Sequence, residues 1–250
     1  MITLFSSGFS PYSRKVRMVL EFKNLPYEII EIDNAESDPE FTRLSRRREV
    51  PAIRDGDLFV INSSDIAAYL DHRYPARPVY PDDPRGRVAA RDWERLSDTL
   101  VDAIVSDVGT WAWAEIDPMP EGLKEDARRD LNQIYDEMNA VLVSENYLVG
   151  EFSIAEMSLF PHIWQGRRIG LSFSDTAHPG VAAWYQRLKT HPITKGNSEA
   201  TLKWFETFAE RDIVRDKIPW RTDRLEWLLA KGYHDWFYGQ IAKGKTIWPV

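Results

Sequence analysis

The sequence predicts an α/β domain followed by an all-helical domain. Short β-rich runs and helical patterns alternate in the order β-α-β-α-β-β-α before residue 76. A proline-dense, aperiodic stretch follows, which is typical of a linker between domains. Beyond it, apolar residues recur at the spacing of amphipathic helices. The chain has 250 residues, 43% of them apolar, which is enough to bury a sizeable core.

The composition excludes several classes of function. The net charge of −7 and the pI near 5.4 argue against a nucleic-acid partner, because binding to phosphates needs clustered basic charge. The chain has no cysteine, which excludes a disulfide, a thiolate metal site and a cysteine nucleophile. Its five histidines lack metal-ligand spacing, so we expect no metal. We find no signal peptide and no segment long enough to span a bilayer, and we expect a cytoplasmic protein without a membrane partner.

The first strand and helix are predicted to enclose an exposed loop around Ser10. An apolar run over residues 2–5 leads into this loop, and helical spacing begins after it. Pro11 suits the first turn of a helix, where its missing N–H costs nothing, so Ser10 falls at or next to the N-cap. Its hydroxyl would lie beside unpaired amides at the positive end of the helix dipole, which favours an anion such as a thiolate. The alternative is that Ser10 only caps the helix.

The remaining elements of this domain are predicted from turn signals and apolar periodicity. They are a strand over 27–32, a short helix over 38–44, a hairpin over 49–61 that turns at Gly56, and a helix over 66–72. The first two strands, joined by a helix, should be parallel with a right-handed connection. Ser63 or Ser64 is predicted to cap the last helix.

The second domain is predicted to consist of amphipathic helices. The first helical pattern covers 87–113 and the second covers 122–143. The apolar stripe of the first is formed by Trp93, Leu96, Leu100, Ala103 and Ile104. Ser153 and Glu156 form a capping box at the start of a third helix. A further helix is predicted over 178–192, bounded by an X-Pro pair at each end.

These patterns divide the chain into four segments. They are a sheet-containing domain at 1–76, a linker at 77–84, a helical domain at 85–198 and an aromatic-rich extension at 199–250. So many aromatic side chains in the last segment cannot remain solvated, and we expect them to pack on the helical domain. A surface that binds a protein partner is the alternative.

Three segments of the first domain, in this element order, resemble the glutathione transferase superfamily. Residues 10–17 resemble the catalytic loop and first helix of its serine-type classes. Residues 41–51 end in a Val-Pro pair whose proline is usually cis in the family, and residues 62–70 match the segment in which a serine precedes an apolar helix. The resemblance covers about residues 1–196. It implies a thioredoxin-like N-terminal domain and an all-helical C-terminal domain.

The resemblance implies that glutathione is the co-substrate and that Ser10 donates a hydrogen bond to its sulfur. Tyr12 is the alternative donor. The implied glutathione-binding residues are Arg48, Glu49, Val50, Pro51, Asn62 and Ser63. Among them, the Val50 backbone would pair with the cysteine of glutathione, and Ser63 would bind the γ-glutamyl carboxylate. Arg48 or a neighbouring arginine would pair with the glycine carboxylate.

The same resemblance implies a cleft between the domains for a hydrophobic electrophile. The predicted wall of this cleft consists of Phe9, Tyr12, Trp111 and Trp113. Both tryptophans suit core positions equally well. An aromatic ether is one class of electrophile, because the Ser-Pro-Tyr loop resembles that of bacterial aryl-ether-cleaving members.

Two other functions are compatible with the same fold. One is glutathione-dependent isomerisation, and the other is a catalytically silent module that binds a protein partner. Asn62, the arginines at 46–48 and the aromatic extension favour the silent module. The resemblance also implies a homodimer.

Overall fold

The computed structural model describes residues 1–34 and 38–248. The N-terminal part of the chain is a four-stranded mixed sheet with three helices. The strands are β1 (Ile2–Ser6), β2 (Tyr27–Glu31), β3 (Ala52–Asp55) and β4 (Leu58–Ile61), and the helices are α1 (Pro11–Phe22), α2 (Pro39–Leu44) and α3 (Ser63–Arg73). The strand order is β2-β1-β3-β4, with β1 and β2 parallel and the other pairs antiparallel. This arrangement confirms the predicted α/β domain.

The two faces of the sheet pack against different helices. The central strand β1 is buried along its whole length. On one face, Leu4 and Ile53 belong to a core that includes side chains of α1 and α3. On the other face, Phe5 contacts Phe41 of α2, with 5.9 Å between ring centroids. Successive side chains of a strand point to opposite faces, so neighbouring residues of β1 hold both layers in place.

The chain after the sheet is mainly helical. The helices are α4 (Pro84–Leu96), α5 (Asp102–Thr110), α6 (Leu123–Leu142), α7 (Ile154–Arg168), α8 (Pro179–Thr190), α9 (Pro192–Glu206), α10 (Thr222–Ala230) and α11 (His234–Ala242). A π turn at Ser97–Val101 joins α4 to α5, and a 3-10 helix covers Phe208–Glu210. Two short parallel strands, β5 (Ile218–Pro219) and β6 (Thr246–Ile247), pair near the C-terminal end. Within residues 1–34 and 38–248, we find no helix with the length and apolar character needed to cross a membrane.

The prediction of one continuous helix over 87–113 is wrong. α4 ends at Leu96, the π turn follows, and α5 ends at Thr110. A π turn changes the helical repeat, so the side chains within it leave the stripe that an unbroken α-helix would form. Leu100, predicted to lie in that stripe, is 38% exposed, whereas Ile104 is fully buried.

The aromatic extension packs against the helical domain. Its buried residues in the main helical core are Ile218, Trp220, Trp227, Leu228 and Phe237. The rings of Trp220 and Phe237 meet edge to face, with 5.1 Å between centroids. α9 runs without a break across positions 198 and 199, so the extension continues directly from a helix of the second domain.

The predicted capping box at the start of α7 is present, and it carries a fully buried carboxylate. Ser153 caps the helix, and its N–H donates to Glu156 at 3.1 Å. The same carboxylate accepts from the Leu148 N–H at 2.8 Å and from the Trp184 indole N–H at 3.3 Å. Burial raises the pKa of Glu156 above its ordinary value, while the backbone donors oppose that rise.

We expect Glu156→Ala to lower the free energy of unfolding by about 3 kcal/mol or more, because buried N–H groups would lose their acceptor. The measurement is urea denaturation of the substituted and parent proteins. Glu145→Ala is the matched control, because Glu145 is exposed, and it should change the free energy by less than about 0.5 kcal/mol. Equal effects of the two substitutions would contradict a structural role for the buried carboxylate.

Candidate active site

Ser10 caps the helix that begins the candidate site. α1 starts at Pro11, and Ser10 has extended backbone torsions, φ −60° and ψ 121°. Its Oγ accepts a hydrogen bond from the Ser13 N–H at 3.4 Å, and its carbonyl accepts from the Arg14 N–H at 2.9 Å. The predicted cap is thereby confirmed. A hydroxyl that accepts from an amide keeps its own proton, so the Ser10 O–H can still donate to a further group.

The peptide bond between Val50 and Pro51 is cis, as the resemblance implied. β3 begins directly after this pair and runs antiparallel to β1, with Ala52 opposite Phe5. This pairing brings the cis bond to the end of the sheet where β1 leads into the Ser10 loop. Two of the three segments that carry the resemblance therefore meet at one end of the sheet.

Asn62, rather than Ser63 or Ser64, caps α3. Its side-chain oxygen accepts from the N–H groups of Ser64 at 3.0 Å and Asp65 at 3.3 Å. Its φ of 70° lies in the left-handed region, which asparagine adopts more readily than most residues. The predicted serine cap is wrong because the Asn62 side chain reaches these amides from an earlier position. Both serine hydroxyls are consequently left for other contacts.

A cleft of about 700 Å³ opens between the sheet, α4, the π turn and the start of α10. The residues singled out from the sequence that line it are Tyr12, Glu49, Val50, Pro51, Asn62 and Ser63. Charged side chains make up half of the lining, and they include Arg47, Arg91, Asp98 and Arg221. In the described part of the chain, no His, Asp and Glu side chains are grouped closely enough to hold a metal ion. The charged lining can form ion pairs with a ligand that carries charge.

The other predicted site residues lie outside the lining of this cleft. They are Ser10, Phe9, Arg48, Trp111 and Trp113. Phe9 packs on Trp204 with 5.1 Å between ring centroids and is 6.3 Å from Trp113. Trp111 packs on Trp236 at 5.3 Å. Aromatic residues of the last segment thus cover two of the four predicted wall residues, and the four do not surround one open pocket.

Trp204 of α9 lies directly on the loop that leads to Ser10. A Cβ atom on Gly8 would overlap the indole of Trp204, so the absence of a side chain at this position permits the close approach. Glu31 accepts hydrogen bonds from the Gly8 N–H at 2.7 Å and from the Trp204 Nε1–H at 2.5 Å. The sheet, the loop and α9 are joined through this one carboxylate.

Tyr12 is held in place by groups from three parts of the chain. Its hydroxyl donates to the backbone carbonyl of Asp98 at 2.7 Å. Its ring meets His162 edge to face at 5.7 Å, and the Arg221 guanidinium lies 4.5 Å from the ring centroid. Burial, with an added effect of Asp102, holds the pKa of Tyr12 well above its ordinary value. Tyr12 is therefore neutral, and its proton is committed to a carbonyl.

A buried ion-pair network behind the cleft was missed by sequence reasoning. Lys15 of α1 is 1% exposed, and its ammonium contacts Asp98 at 2.5 Å and Glu94 at 3.2 Å. Ser64 Oγ donates to the same Asp98 oxygen at 2.7 Å. The π turn presents Asp98 so that its backbone accepts from Tyr12 while its side chain accepts from Lys15. The signal available in the sequence was the group of basic residues Arg14, Lys15 and Arg17 on the predicted first helix, whose one acid is Glu21.

Comparison with known families agrees with this geometry. Residues 4–78 match the family model of the glutathione S-transferase N-terminal domain, and residues 101–192 match that of the glutathione S-transferase C-terminal domain. The chain belongs to the glutathione S-transferase superfamily. The thioredoxin-like and all-helical parts that the resemblance implied are therefore confirmed.

Proteins similar to this chain include both stringent starvation protein homologs and glutathione S-transferases. The stringent starvation protein A homolog of Haemophilus ducreyi is 28% identical over 200 residues, covering 75% of this chain and 85% of the relative. Glutathione S-transferase GstB of Escherichia coli strain K12 is 25% identical over 202 residues, covering 78% of this chain and 96% of the relative. A glutathione S-transferase structure from Rhodospirillum rubrum F11 matches in fold, with a TM-score of 0.71 at 20% identity, covering 79% of this chain and 91% of that one.

The segment beyond the matched family regions is anchored by a buried ion pair. Arg224 of α10 donates to both carboxylate oxygens of Asp102 in α5, at 2.9 and 3.1 Å. Burial alone would raise the pKa of Asp102, but Arg224 and then His162 hold it below its ordinary value. Burial lowers the pKa of His162 to about 4, so this histidine is neutral at neutral pH. This ion pair joins α10 to α5, and the start of α10 lines the cleft.

We expect Arg224→Met to lower the free energy of unfolding by about 3–5 kcal/mol, because the Asp102 carboxylate would remain buried without its partner. The double variant Arg224→Met with Asp102→Leu should lose less than the sum of the two single variants. Denaturant unfolding of all four proteins measures this coupling. Arg43→Met removes an exposed charge and serves as the control. Simple additivity of the two substitutions would contradict the anchor.

Proposed function

We propose that the protein is a glutathione transferase in which Ser10 stabilises the thiolate of glutathione. The supporting observation is the position of Ser10 at the N-cap of α1, where its O–H can donate at the positive end of the helix dipole. Tyr12, the alternative donor, already donates its proton to the Asp98 carbonyl. Ser10 is therefore the better candidate for the hydrogen bond to sulfur.

The chemistry needs a larger population of thiolate than a free thiol provides. An ordinary thiol has a pKa of about 8.5 and is only a few per cent ionised at neutral pH. A hydrogen bond from Ser10 and the positive end of α1 would both favour the thiolate. The sulfur would then attack the electrophile, while Ser10 itself forms no bond to substrate. No metal is needed for this step.

We infer that glutathione lies along the Val50–Pro51 bend and the start of α3. The Val50 backbone would pair with the cysteine residue of glutathione, and Ser63 would bind the γ-glutamyl carboxylate through its hydroxyl and its own N–H. Asn62 holds the start of α3 in place, because its side chain accepts from the N–H groups of Ser64 and Asp65. Arg48, next to Glu49, is our candidate for the glycine carboxylate. These assignments extend the family's mode of binding to the residues present in this chain.

The electrophile would enter the same cleft. Apolar surface there comes from Tyr12, Val50, Pro51 and Ile61, which suits an aromatic or otherwise hydrophobic body. An aromatic ether, in which the thiolate displaces a phenolate, is one such substrate. Isomerisation with glutathione as cofactor would use the same thiolate.

A catalytically silent protein-binding module is the second candidate function. It is favoured by the 28% identity to a relative that is named for stringent starvation rather than for transfer of glutathione. Asn62 adds to this case. It is neutral, and its side chain already caps α3, so this position offers no acidic group to the ammonium of glutathione. Glutathione binding separates the two candidates.

We expect Ser10→Ala to raise the pKa of the bound glutathione thiol by about one to two pH units, since a hydrogen bond to a charged group contributes about 1.5–3 kcal/mol. Tyr12→Phe should leave that pKa unchanged and lower the free energy of unfolding by about 1 kcal/mol. Calorimetric titration with glutathione establishes binding, and thiolate absorbance against pH measures the pKa.

Two results would count against this proposal. Absence of both binding heat and thermal stabilisation at millimolar glutathione would exclude the transferase and leave the silent module. Saturable binding with the same thiol pKa in the parent and Ser10→Ala proteins would exclude Ser10 as the donor to sulfur.

A further inference from the structure

Arg221 brings a cation from the last segment to the edge of the cleft. It precedes α10, and its guanidinium lies 4.5 Å from the centroid of the Tyr12 ring. The side chain is 27% exposed and borders the cleft together with Thr222 and Asp223. The matched C-terminal family region ends at residue 192, so this group is an addition to the part of the chain that defines the superfamily.

The side chain of Arg221 is partly buried, and its guanidinium makes no hydrogen bond within residues 1–34 and 38–248. Its ion pair there is with Glu49, and the 3.8 Å between Nε and Oε1 is too long for a hydrogen bond. Glu49 is instead engaged by Arg47, at 3.0 and 3.3 Å. Arg224, three residues later, shows the contrasting case of a fully satisfied bidentate pair.

A guanidinium presents five N–H donors in a fixed fork that matches the two oxygens of a carboxylate. The contact with the Tyr12 ring restrains the Arg221 guanidinium, whose N–H groups remain available for such a pair. The other arginines of the cleft lining that lack a carboxylate partner at this distance, Arg91 and Arg95, are exposed and less restrained. Arg221 is therefore the most preorganised anion-binding group of the cleft.

We propose that Arg221 binds a carboxylate on the electrophile, so that the second substrate is an aromatic or hydrophobic acid. This inference rests on the proposed glutathione transfer. The candidate glutathione contacts, Val50 and Ser63, belong to the sheet domain, whereas Arg221 comes from the extension. A carboxylate held by Arg221 would place the attached ring beside Tyr12, two residues from Ser10, in the cleft that Val50 and Ser63 also line.

The group transfer for a halogenated aromatic acid is balanced without further reactants. The thiol proton passes to solvent, the sulfur lone pair forms a bond to the ring carbon that carries the halogen, and the carbon–halogen bond breaks to release halide. The carboxylate held by Arg221 keeps its charge throughout. Arg221 thus acts in binding and orientation and takes no part in bond formation.

The activity test compares 4-chloro-3-nitrobenzoate with its methyl ester, each rate being divided by that of the uncatalysed reaction with glutathione. The parent protein should favour the acid by about tenfold in kcat/KM, mainly through KM, as expected for a charge-assisted pair. Arg221→Gln should abolish this preference, and Arg221→Lys should retain part of it. Arg85→Gln removes an exposed arginine outside the cleft and should keep the full preference.

The binding test needs no glutathione. Calorimetry of 4-nitrobenzoate and 4-nitrobenzamide should show about tenfold tighter binding of the acid to the parent and to Arg85→Gln, and equal binding of both to Arg221→Gln. Far-ultraviolet circular dichroism verifies that each variant is folded. Arg221→Lys provides a second variant that keeps the charge if Arg221→Gln unfolds.

The outcomes separate the two proposals. Acid-selective binding lost in Arg221→Gln supports the carboxylate site, even if glutathione fails to bind and the transferase proposal falls. Equal affinity of the parent for acid and amide would overturn the site. A loss of glutathione affinity in Arg221→Gln that equals the loss for the acid would also overturn it, because the carboxylate bound by Arg221 would then be one of glutathione's own.

Discussion

The structure depends above all on the pairing of one buried ammonium. Lys15 lies inside the protein on the first helix, where an unpaired charge would cost several kcal/mol. Its partners, Glu94 and Asp98, come from α4 and the π turn of the helical domain. Any shift of the helical domain along the sheet domain would therefore expose this charge or separate it from its carboxylate partners. The cleft between the two domains takes its shape from that constraint.

The π turn places Asp98 where it contacts both α1 and the start of α3. It breaks the helical repeat at the point where Asp98 must face α1, and π turns often occur at functional positions. Because the Asp98 backbone accepts from Tyr12 while its side chain accepts from Ser64, one residue aligns α1 with the start of α3. Ser10 lies at the N-terminus of the helix that is held in this way, so its direction follows from contacts made well beyond the loop.

The last segment alters the apolar and charged surface beside the Ser10 loop and the cleft. Trp204 closes over Gly8 and covers Phe9, which removes apolar surface that would otherwise be open beside the loop. Arg221 then adds a cation over Tyr12 at the remaining opening. The cleft, half of whose lining is charged, therefore presents a cation beside the Tyr12 ring. The buried pair of Arg224 with Asp102 holds this addition in place.

The features that could be predicted from the sequence alone are those that depend on neighbouring residues. The Ser10 cap, the Ser153 capping box and the first strands were predicted because each depends on neighbours within a few residues or on a simple period. The Asn62 cap and the break at Leu100 were missed, since competing caps and a π turn have no distinct pattern. Only the tertiary structure paired Lys15 with Asp98 and brought Arg221 to Tyr12, because partners so far apart in the chain are selected by burial and packing rather than by neighbouring residues.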